Sequence, residues 1–135
     1  MQTLGRLAAL TLATAAVIAV PTASDAANSW TTLERMDGAK HQACKVVVDD
    51  GASWKIKNRL VNGNQARVGA GMKVMRNDEA TNRVWSSGLI RRGETSAVGS
   101  VKMPRGDDRY SLIASIYGAH SGSGSTVTIG EIGRC

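Results

Sequence analysis

Apolar and charged positions alternate most clearly along residues 54–60. The apolar side chains that share one side of this stretch are Trp54, Ile56 and Leu60. The basic side chains that share the other side are Lys55, Lys57 and Arg59. Because successive side chains of a strand point to opposite faces of its sheet, the pattern predicts a strand with one face in the core and one basic face in water.

A second alternating stretch, residues 110–117, follows a turn that contains Pro104 and Gly106. The residues on its apolar face are Tyr110, Leu112, Ala114 and Ile116. A Pro- and Gly-containing turn that leads into a tyrosine at a strand start resembles the tyrosine corner of immunoglobulin-like sandwiches. The resemblance implies that Tyr110 is largely buried, with its hydroxyl bonded to backbone upstream. The chain departs from antibody domains at Leu112, where they carry their second cysteine.

Further strand patterns occupy residues 43–49, 67–75, 83–90, 97–103 and 126–132. Residues 28–36 fit either a short helix or an edge strand, and the Gly/Ser-rich residues 118–125 are typical of a flexible loop. About seven short strands with regular turn signals between them are typical of an antiparallel sandwich or barrel. We therefore predict an all-β fold, an antiparallel immunoglobulin-like β-sandwich of about seven strands.

The core has to be built without phenylalanine, which the chain lacks. Aliphatic side chains, Met and the three tryptophans are the remaining large apolar residues. Trp30, Trp54 and Trp85 therefore fit a core role better than an exposed sugar-stacking platform.

The amino-terminal residues 1–26 have the three regions of a secretory signal peptide. Arg6 supplies the positive charge, residues 7–20 are apolar and uncharged, and small residues precede a cleavage site after Ala26. The apolar run is shorter than the roughly 20 residues of a membrane-spanning helix, which argues against an anchor. We expect residues 27–135 to form one secreted, extracellular domain with no membrane span. The signal segment and the Ala-, Gly- and Arg-rich composition resemble small secreted proteins of high-GC Gram-positive bacteria.

The chain has two cysteines, Cys44 and Cys135. In an exported chain, two cysteines predict one disulfide, and only one intramolecular pairing is possible. An intermolecular bridge is the alternative pairing. A zinc site is a further alternative, but two thiols with two histidines that are far apart in sequence make a poor zinc pattern.

Residues for catalysis are sparse. His41 and His120 are the only histidines, and no Gly-x-Ser-x-Gly motif is present. The acidic pairs at 49–50 and 107–108 fall in predicted turns, where turn chemistry explains them better than acid–base catalysis does. No phosphate-binding loop or dinucleotide fingerprint occurs. We therefore predict no enzymatic activity, no cofactor and no metal.

The charge balance favours anionic partners. The chain has 17 basic and 11 acidic residues and a net charge of +6, which favours association with cell-envelope polymers or acidic proteins. Lys55, Lys57 and Arg59 form the candidate basic binding face. The same pattern is also typical of a solvated sheet face. The outward face lacks interleaved aromatic residues, which argues against single-stranded nucleic acid as the partner.

The turn before residue 110 contains Arg105, Gly106 and Asp107, the integrin-binding tripeptide. A match this short arises by chance, and a tight turn favours Gly and Asp in any case. The leading hypothesis is a secreted, non-enzymatic module that docks to an anionic cell-envelope polymer or protein through the basic strand face. The alternative is an inhibitor of an extracellular enzyme that presents the Gly/Ser loop 118–125 or the turn 104–108. The turn is the better candidate of the two, because an inhibitor loop needs to be rigid.

Overall fold

The computed structural model describes residues 29–135. The predicted signal peptide, residues 1–26, lies outside the described residues. Within residues 29–135, no helix is long and apolar enough to cross a bilayer. These residues form two antiparallel sheets packed face to face, which confirms the predicted all-β sandwich.

The sandwich contains nine strands among the described residues. Their bounds are β1 Thr31–Met36, β2 Ala39–Val48, β3 Ser53–Asn62, β4 Arg67–Arg76, β5 Glu79–Ser86, β6 Ile90–Arg91, β7 Gly99–Pro104, β8 Tyr110–Gly118 and β9 Gly122–Val127. The first sheet has the order β1-β2-β3-β7. The second has the order β5-β4-β8-β9, and β6 pairs with β4. In immunoglobulin domains the second strand lies between the first and the fifth, whereas here β2 lies between β1 and β3. The likeness to immunoglobulin domains is therefore one of architecture and not of strand order.

The two strands beyond the predicted seven are β1 and the short β6, because the strand predicted at 83–90 is divided between β5 and β6, and β9 takes the place of the strand predicted at 126–132. Within the ambiguous segment 28–36, Thr31–Met36 form the edge strand β1, which pairs with β2. The stretch expected to be a flexible Gly/Ser loop forms most of β9, which pairs with β8 from Leu112↔Val127 to Tyr117↔Gly122. The prediction of a flexible loop is wrong because β9 is held by backbone hydrogen bonds to β8, and these bonds need no large side chains. The strand expected at 126–132 instead ends at Val127, and a short 3₁₀ turn, Ile129–Glu131, follows.

The hairpin of β2 and β3 is the longest uninterrupted pairing in the first sheet. It runs without a bulge from Ala39↔Asn62 to Val48↔Ser53. The turn between the strands places Asp49, Asp50 and Gly51 at positive φ values of 53°, 51° and 94°. Aspartate and glycine tolerate this left-handed region better than most residues. The turn chemistry therefore helps to fix the register of the hairpin.

The core lies between the two sheets and is mainly aliphatic. Its largest fully buried apolar side chains are Ile56, Leu60, Met72, Leu112, Ile116 and Ile132. Trp85 packs against both core clusters and thereby connects them. Its indole also lies directly on the backbone of β7, because a Cβ atom on Gly99 would stand 2.3 Å from Trp85 Cδ1. A glycine at 99 is therefore what allows the indole to close this side of the sandwich.

Tyr110 does not form the expected corner. The residue is only half-buried, although its ring packs against the core. The hydrogen bonds of residues 29–135 include none from its hydroxyl. Instead, the guanidinium groups of Arg76 and Arg83 lie 5.9 and 6.0 Å from the centre of its ring. Cation–π contacts thus replace the predicted hydrogen bond because the strand β4 places Arg76 directly opposite Tyr110.

The predicted disulfide between Cys44 and Cys135 is present, with 4.9 Å between the two Cα atoms. The bridge joins neighbouring segments of the first sheet. Beyond Ala43, where the pairing with β1 ends, the carboxy-terminal residues take over the edge of β2. Lys45 N donates to Gly133 O at 2.9 Å, and Cys135 N donates to Lys45 O at 3.1 Å. Covalent and backbone bonds therefore hold the same junction.

Replacing both cysteines with serine is expected to lower the free energy of unfolding by about 2–5 kcal/mol. The bridge closes a loop between residues 91 positions apart, so its loss releases conformational entropy in the unfolded chain. Urea unfolding of the wild type and of the Cys44→Ser/Cys135→Ser variant measures the difference. Equal stability would contradict this role, and a dimer that dissociates on reduction would show that the pairing is intermolecular in solution.

Candidate functional site

The structure places Lys55, Lys57 and Arg59 on the outer face of β3. Residues 56, 58 and 60 of the same strand are fully buried on the opposite face. The stems of the three basic side chains are half-buried against the sheet. This is the arrangement in which long basic side chains keep an apolar stem on the protein and the charge in water.

Neighbouring strands extend the basic row. Lys55 lies directly opposite Lys102 of β7, and Lys57 lies opposite Ser100. On the other side, Arg59 Nε donates to Gln42 Oε1 at 2.9 Å. Like charges directly opposite each other on a sheet are destabilising. The ion pair of Lys102 with Asp49, at 2.7 Å, offsets part of the repulsion between Lys102 and Lys55.

Trp30 joins this face, contrary to the core role predicted for it. Its ring is half-buried, and the Arg59 guanidinium stacks 4.3 Å from its centre. The sequence did not predict that Trp30 would lie on the outer face, because residue 30 precedes β1 and no alternating pattern specifies which side of the first sheet it covers. The basic face therefore does include an aromatic ring, although the sequence pattern predicted none there.

Two adjoining grooves meet at Lys55 and Ser100 on the outer face of the first sheet, and the larger one extends past the β7 edge to residues 82–84 of β5. A groove of about 330 Å³ is lined by Trp30, Lys55, Lys57, Val98 and Ser100, among others. A wider one, of about 680 Å³, shares Lys55 and Ser100 with it and continues toward Lys102. Val98, which is 54% exposed, provides an apolar wall. The surface therefore combines a cationic floor with apolar sides.

Few carboxylates compensate this charge. The ion pairs found within residues 29–135 are Lys102 with Asp49, at 2.7 Å, and Arg109 with Asp107, at 2.6 Å. Lys55, Lys57 and Arg59 take part in neither. Their positive charge is thus available to an anionic ligand.

The turn with Arg105, Gly106 and Asp107 lies at one end of the sandwich, and its charged side chains are already engaged. Arg105 Nη1 donates to Gly51 O at 3.1 Å. Asp107 accepts hydrogen bonds from Arg109 Nε at 2.9 Å and Nη2 at 2.6 Å. The hydrogen bonds from Arg109 lower the pKa of Asp107 to about 2. The turn is therefore ordered by its own contacts.

The two histidines lie far from a catalytic arrangement. His120 is exposed in the β8–β9 turn, whereas His41 is fully buried. His41 Nε2 is hydrogen-bonded to Asn58 Oδ1 at 3.0 Å, and its ring stacks on Trp85 with 5.2 Å between centroids. Within the part of the chain that the structure describes, no group of three His, Cys, Asp or Glu residues is placed to hold a metal ion. The geometry of His41 is that of an interior structural residue.

Comparison with known proteins identifies no relative of this chain. No family model, no curated protein and no solved structure matches the chain. Its function has to be argued from the geometry and charge of its surfaces.

Acidification is expected to destabilise the fold through His41. Burial lowers the pKa of His41, against smaller opposing effects of the Asn58 hydrogen bond and the Glu34 charge. The unfolded chain takes up a proton as the pH falls through about 6.5, whereas the folded chain resists it. The stabilising effect of a neutral His41 is therefore full above about pH 6.5 and is lost as the pH falls from there toward the lowered value.

Unfolding experiments between pH 7.5 and 5.5 measure this effect. The slope attributable to one proton is at most about 1.4 kcal/mol per pH unit. His41→Gln should remove that part of the slope, whereas the control His120→Gln should keep it. A slope that is the same in the wild type and in His41→Gln would contradict the assignment.

Proposed function

We propose that the protein is a secreted, non-enzymatic binding module that docks to an anionic cell-envelope polymer through the outer face of the first sheet. The observation that supports this most directly is the row of Lys55, Lys57 and Arg59 beside an open groove, with no carboxylate partner among the described residues. A solvated sheet face needs charge, but it needs neither a groove nor an aromatic wall.

The spacing of the row suits a ligand with repeated negative charges. Alternate residues of a strand are about 6.6 Å apart, so the row presents positive charge at regular steps along β3. Contacts of this kind displace counterions from a polyanion, and the affinity that results falls with rising salt. The net charge of +6 draws such a polymer toward the protein before contact is made.

Trp30 and Val98 provide the apolar part of the interaction. The Arg59–Trp30 contact holds both side chains at the rim of the groove. A polymer of charged groups linked by short carbon chains or sugar rings has apolar surface to pack against such a rim. The face therefore selects a polymer with a partly apolar backbone over a small inorganic anion.

The compartment is consistent with this ligand. The signal-peptide pattern of residues 1–26 leads out of the cytoplasm, and a disulfide persists in oxidising surroundings. Envelope polymers are abundant there, so a weak, multipoint contact is sufficient for retention.

Binding should be lost in the Lys55→Gln/Lys57→Gln/Arg59→Gln variant. Three contacts of about 1 kcal/mol each correspond to a loss of affinity of roughly a hundredfold. The measurement is co-sedimentation with Gram-positive cell-wall sacculi, before and after hydrofluoric acid removes their phosphodiester-linked polymers. The wild type should sediment only with untreated sacculi and should be released by about 0.5 M salt, at which charges are strongly screened.

A charge-matched variant tests whether the face or the net charge is responsible. Arg67→Gln/Lys73→Gln/Arg92→Gln removes three exposed cations from the second sheet and the turn after β6. This control should sediment like the wild type. Equal loss in both triple variants, or sedimentation of the wild type with stripped sacculi, would rule out docking through the basic face.

The rigid turn at Arg105–Asp107 favours a second candidate function, inhibition of an extracellular enzyme. The contacts of Asp107 with Arg109 pre-order the turn, and pre-ordering lowers the entropic cost of binding. A panel of secreted proteases should then be inhibited by the wild type and by the triple variant of the basic face, but less by Arg109→Gln. Full protease activity in the presence of excess wild type would dismiss this candidate.

A further inference from the structure

Three cationic side chains surround the ring of Trp54 at one end of the sandwich. The Arg105 guanidinium lies 4.7 Å from the ring centre, the Lys45 ammonium 4.9 Å and the Arg134 guanidinium 5.6 Å. We call these four residues the Trp54 cluster. Lys45 and Arg134 are bridge partners, so these two positive charges are close neighbours, whereas Arg105 reaches the ring from the β7 side of the sheet.

The hairpin register and the disulfide junction bring the cluster together. Lys45 and Trp54 belong to the inward-facing sets of β2 and β3, but they lie near the hairpin turn, where the core ends. Arg105 enters from the turn after β7, and Arg134 enters from the carboxy-terminal segment that pairs with Lys45. Four separate segments thus contribute one indole and the three cations around it.

The positive charge of the cluster is not balanced by its surroundings. Asp49 pairs with Lys102, Asp107 pairs with Arg109, and Glu131 accepts hydrogen bonds from Thr128. None of the ion pairs of residues 29–135 includes a residue of the Trp54 cluster. Burial, and after it the charge of Arg134, lowers the pKa of Lys45. Lys45 and Arg134 therefore repel each other, and a bound anion would relieve that repulsion.

A purely structural role does not account for all three cations. One cation–π contact suffices to fasten the carboxy-terminal segment to Trp54, and the disulfide and two backbone hydrogen bonds already hold that segment. The second and third cations add repulsion to a contact that is already made.

We propose that the Trp54 cluster is a binding site for an oxyanion of the phosphate class. The Arg134 guanidinium provides a planar pair of donors that matches phosphate oxygens, and the neighbouring Lys45 ammonium adds a second positive charge. Both arginines are exposed, so the ligand can reach them from solvent.

This site is separate from the basic face of the first sheet. Lys55 and Lys57 point away from the core, whereas Lys45 and Trp54 belong to the inward-facing sets of their strands. A recess of about 430 Å³ on the Trp54 ring contains Asp107 and Asp108 but none of the three cations. The anion therefore belongs beside Lys45 and Arg134 and not in that recess.

Titration with inorganic pyrophosphate, followed by ¹⁵N–¹H correlation spectra at constant ionic strength, tests the proposal. The chain has three tryptophans, and the Trp54 indole signal is assigned from its loss in Trp54→Phe. This signal should shift saturably on titration, while the Trp85 signal in the core should stay in place. No saturable shift of the Trp54 signal would overturn the proposal.

The Lys45→Gln/Arg134→Gln variant should weaken pyrophosphate binding by roughly a hundredfold, about tenfold for each charge-assisted contact removed. The substitution at 45 also removes the hydrogen bond that Lys45 Nζ donates to Ile129 O at 2.6 Å, so the single variant Arg134→Gln, which keeps that bond, should still weaken binding by about tenfold. The matched control, Arg67→Gln/Lys73→Gln, also removes one Arg and one Lys and should bind like the wild type. Equal weakening in both variants would overturn the site.

The affinities of three further ligands show which class of anion the Trp54 cluster prefers. Citrate that bound as tightly as pyrophosphate would overturn the assignment to phosphates. Tighter binding of glycerol 3-phosphate than of a short poly(glycerol phosphate) supports a site for a phosphomonoester, and the reverse order supports one for a phosphodiester chain. The Lys55→Gln/Lys57→Gln/Arg59→Gln variant should keep its pyrophosphate affinity, which separates this site from the basic face.

Discussion

The register of the β2–β3 hairpin determines where nearly every feature of this protein lies. Ten consecutive residue pairs run from the tight turn to the far end of the strands without a bulge. Because the side-chain period of a strand is two, a slip by one residue would exchange the two faces. Ile56 and Leu60 would then face water, and Lys55 and Lys57 would enter the core. The burial of one face thereby enforces the position of the basic row on the other.

The same register also explains the position of the disulfide. Cys44 belongs to the outer face of β2, directly opposite Lys57. Cys44 is nevertheless almost fully buried, at 1% exposure, because the carboxy-terminal segment covers it. The basic row, the disulfide and Trp30 are therefore parts of one surface, and the segment that carries Cys135 also carries Arg134 to the Trp54 cluster.

Much of the fold was predictable because it depends on local alternation. The inward and outward sets of β3 and the inward set of β8 follow directly from period two. The strand β9 was not predictable in this way, because Gly122–Val127 has hardly any large apolar residue and is held by backbone pairing with β8. The half-buried Tyr110 shows a similar limit. Whether its hydroxyl meets a carbonyl depends on the path of a distant segment, which no local pattern specifies.

The candidate sites also differ in whether local alternation in the sequence predicts them. Lys55, Lys57 and Arg59 are alternate residues of one strand, so sequence alone showed that they share a face. The Trp54 cluster draws on residues 45, 54, 105 and 134, which are separated by turns and whole strands. The buried pair of His41 and Asn58 likewise joins two strands across a specific register. Such groupings depend on tertiary pairing, and the sequence offered no signal for them.

The contact between Trp85 and Gly99 has a consequence for related sequences. The indole occupies the space where any larger side chain at 99 would begin, and the ring also stacks on His41. A similar arrangement exists at Gly69, where an added Cβ would stand 2.4 Å from the ring of Tyr117. In any homologous chain that keeps this sandwich, positions 85 and 99, and likewise 69 and 117, should change together: a side chain gained at the glycine requires a smaller residue in place of its aromatic partner.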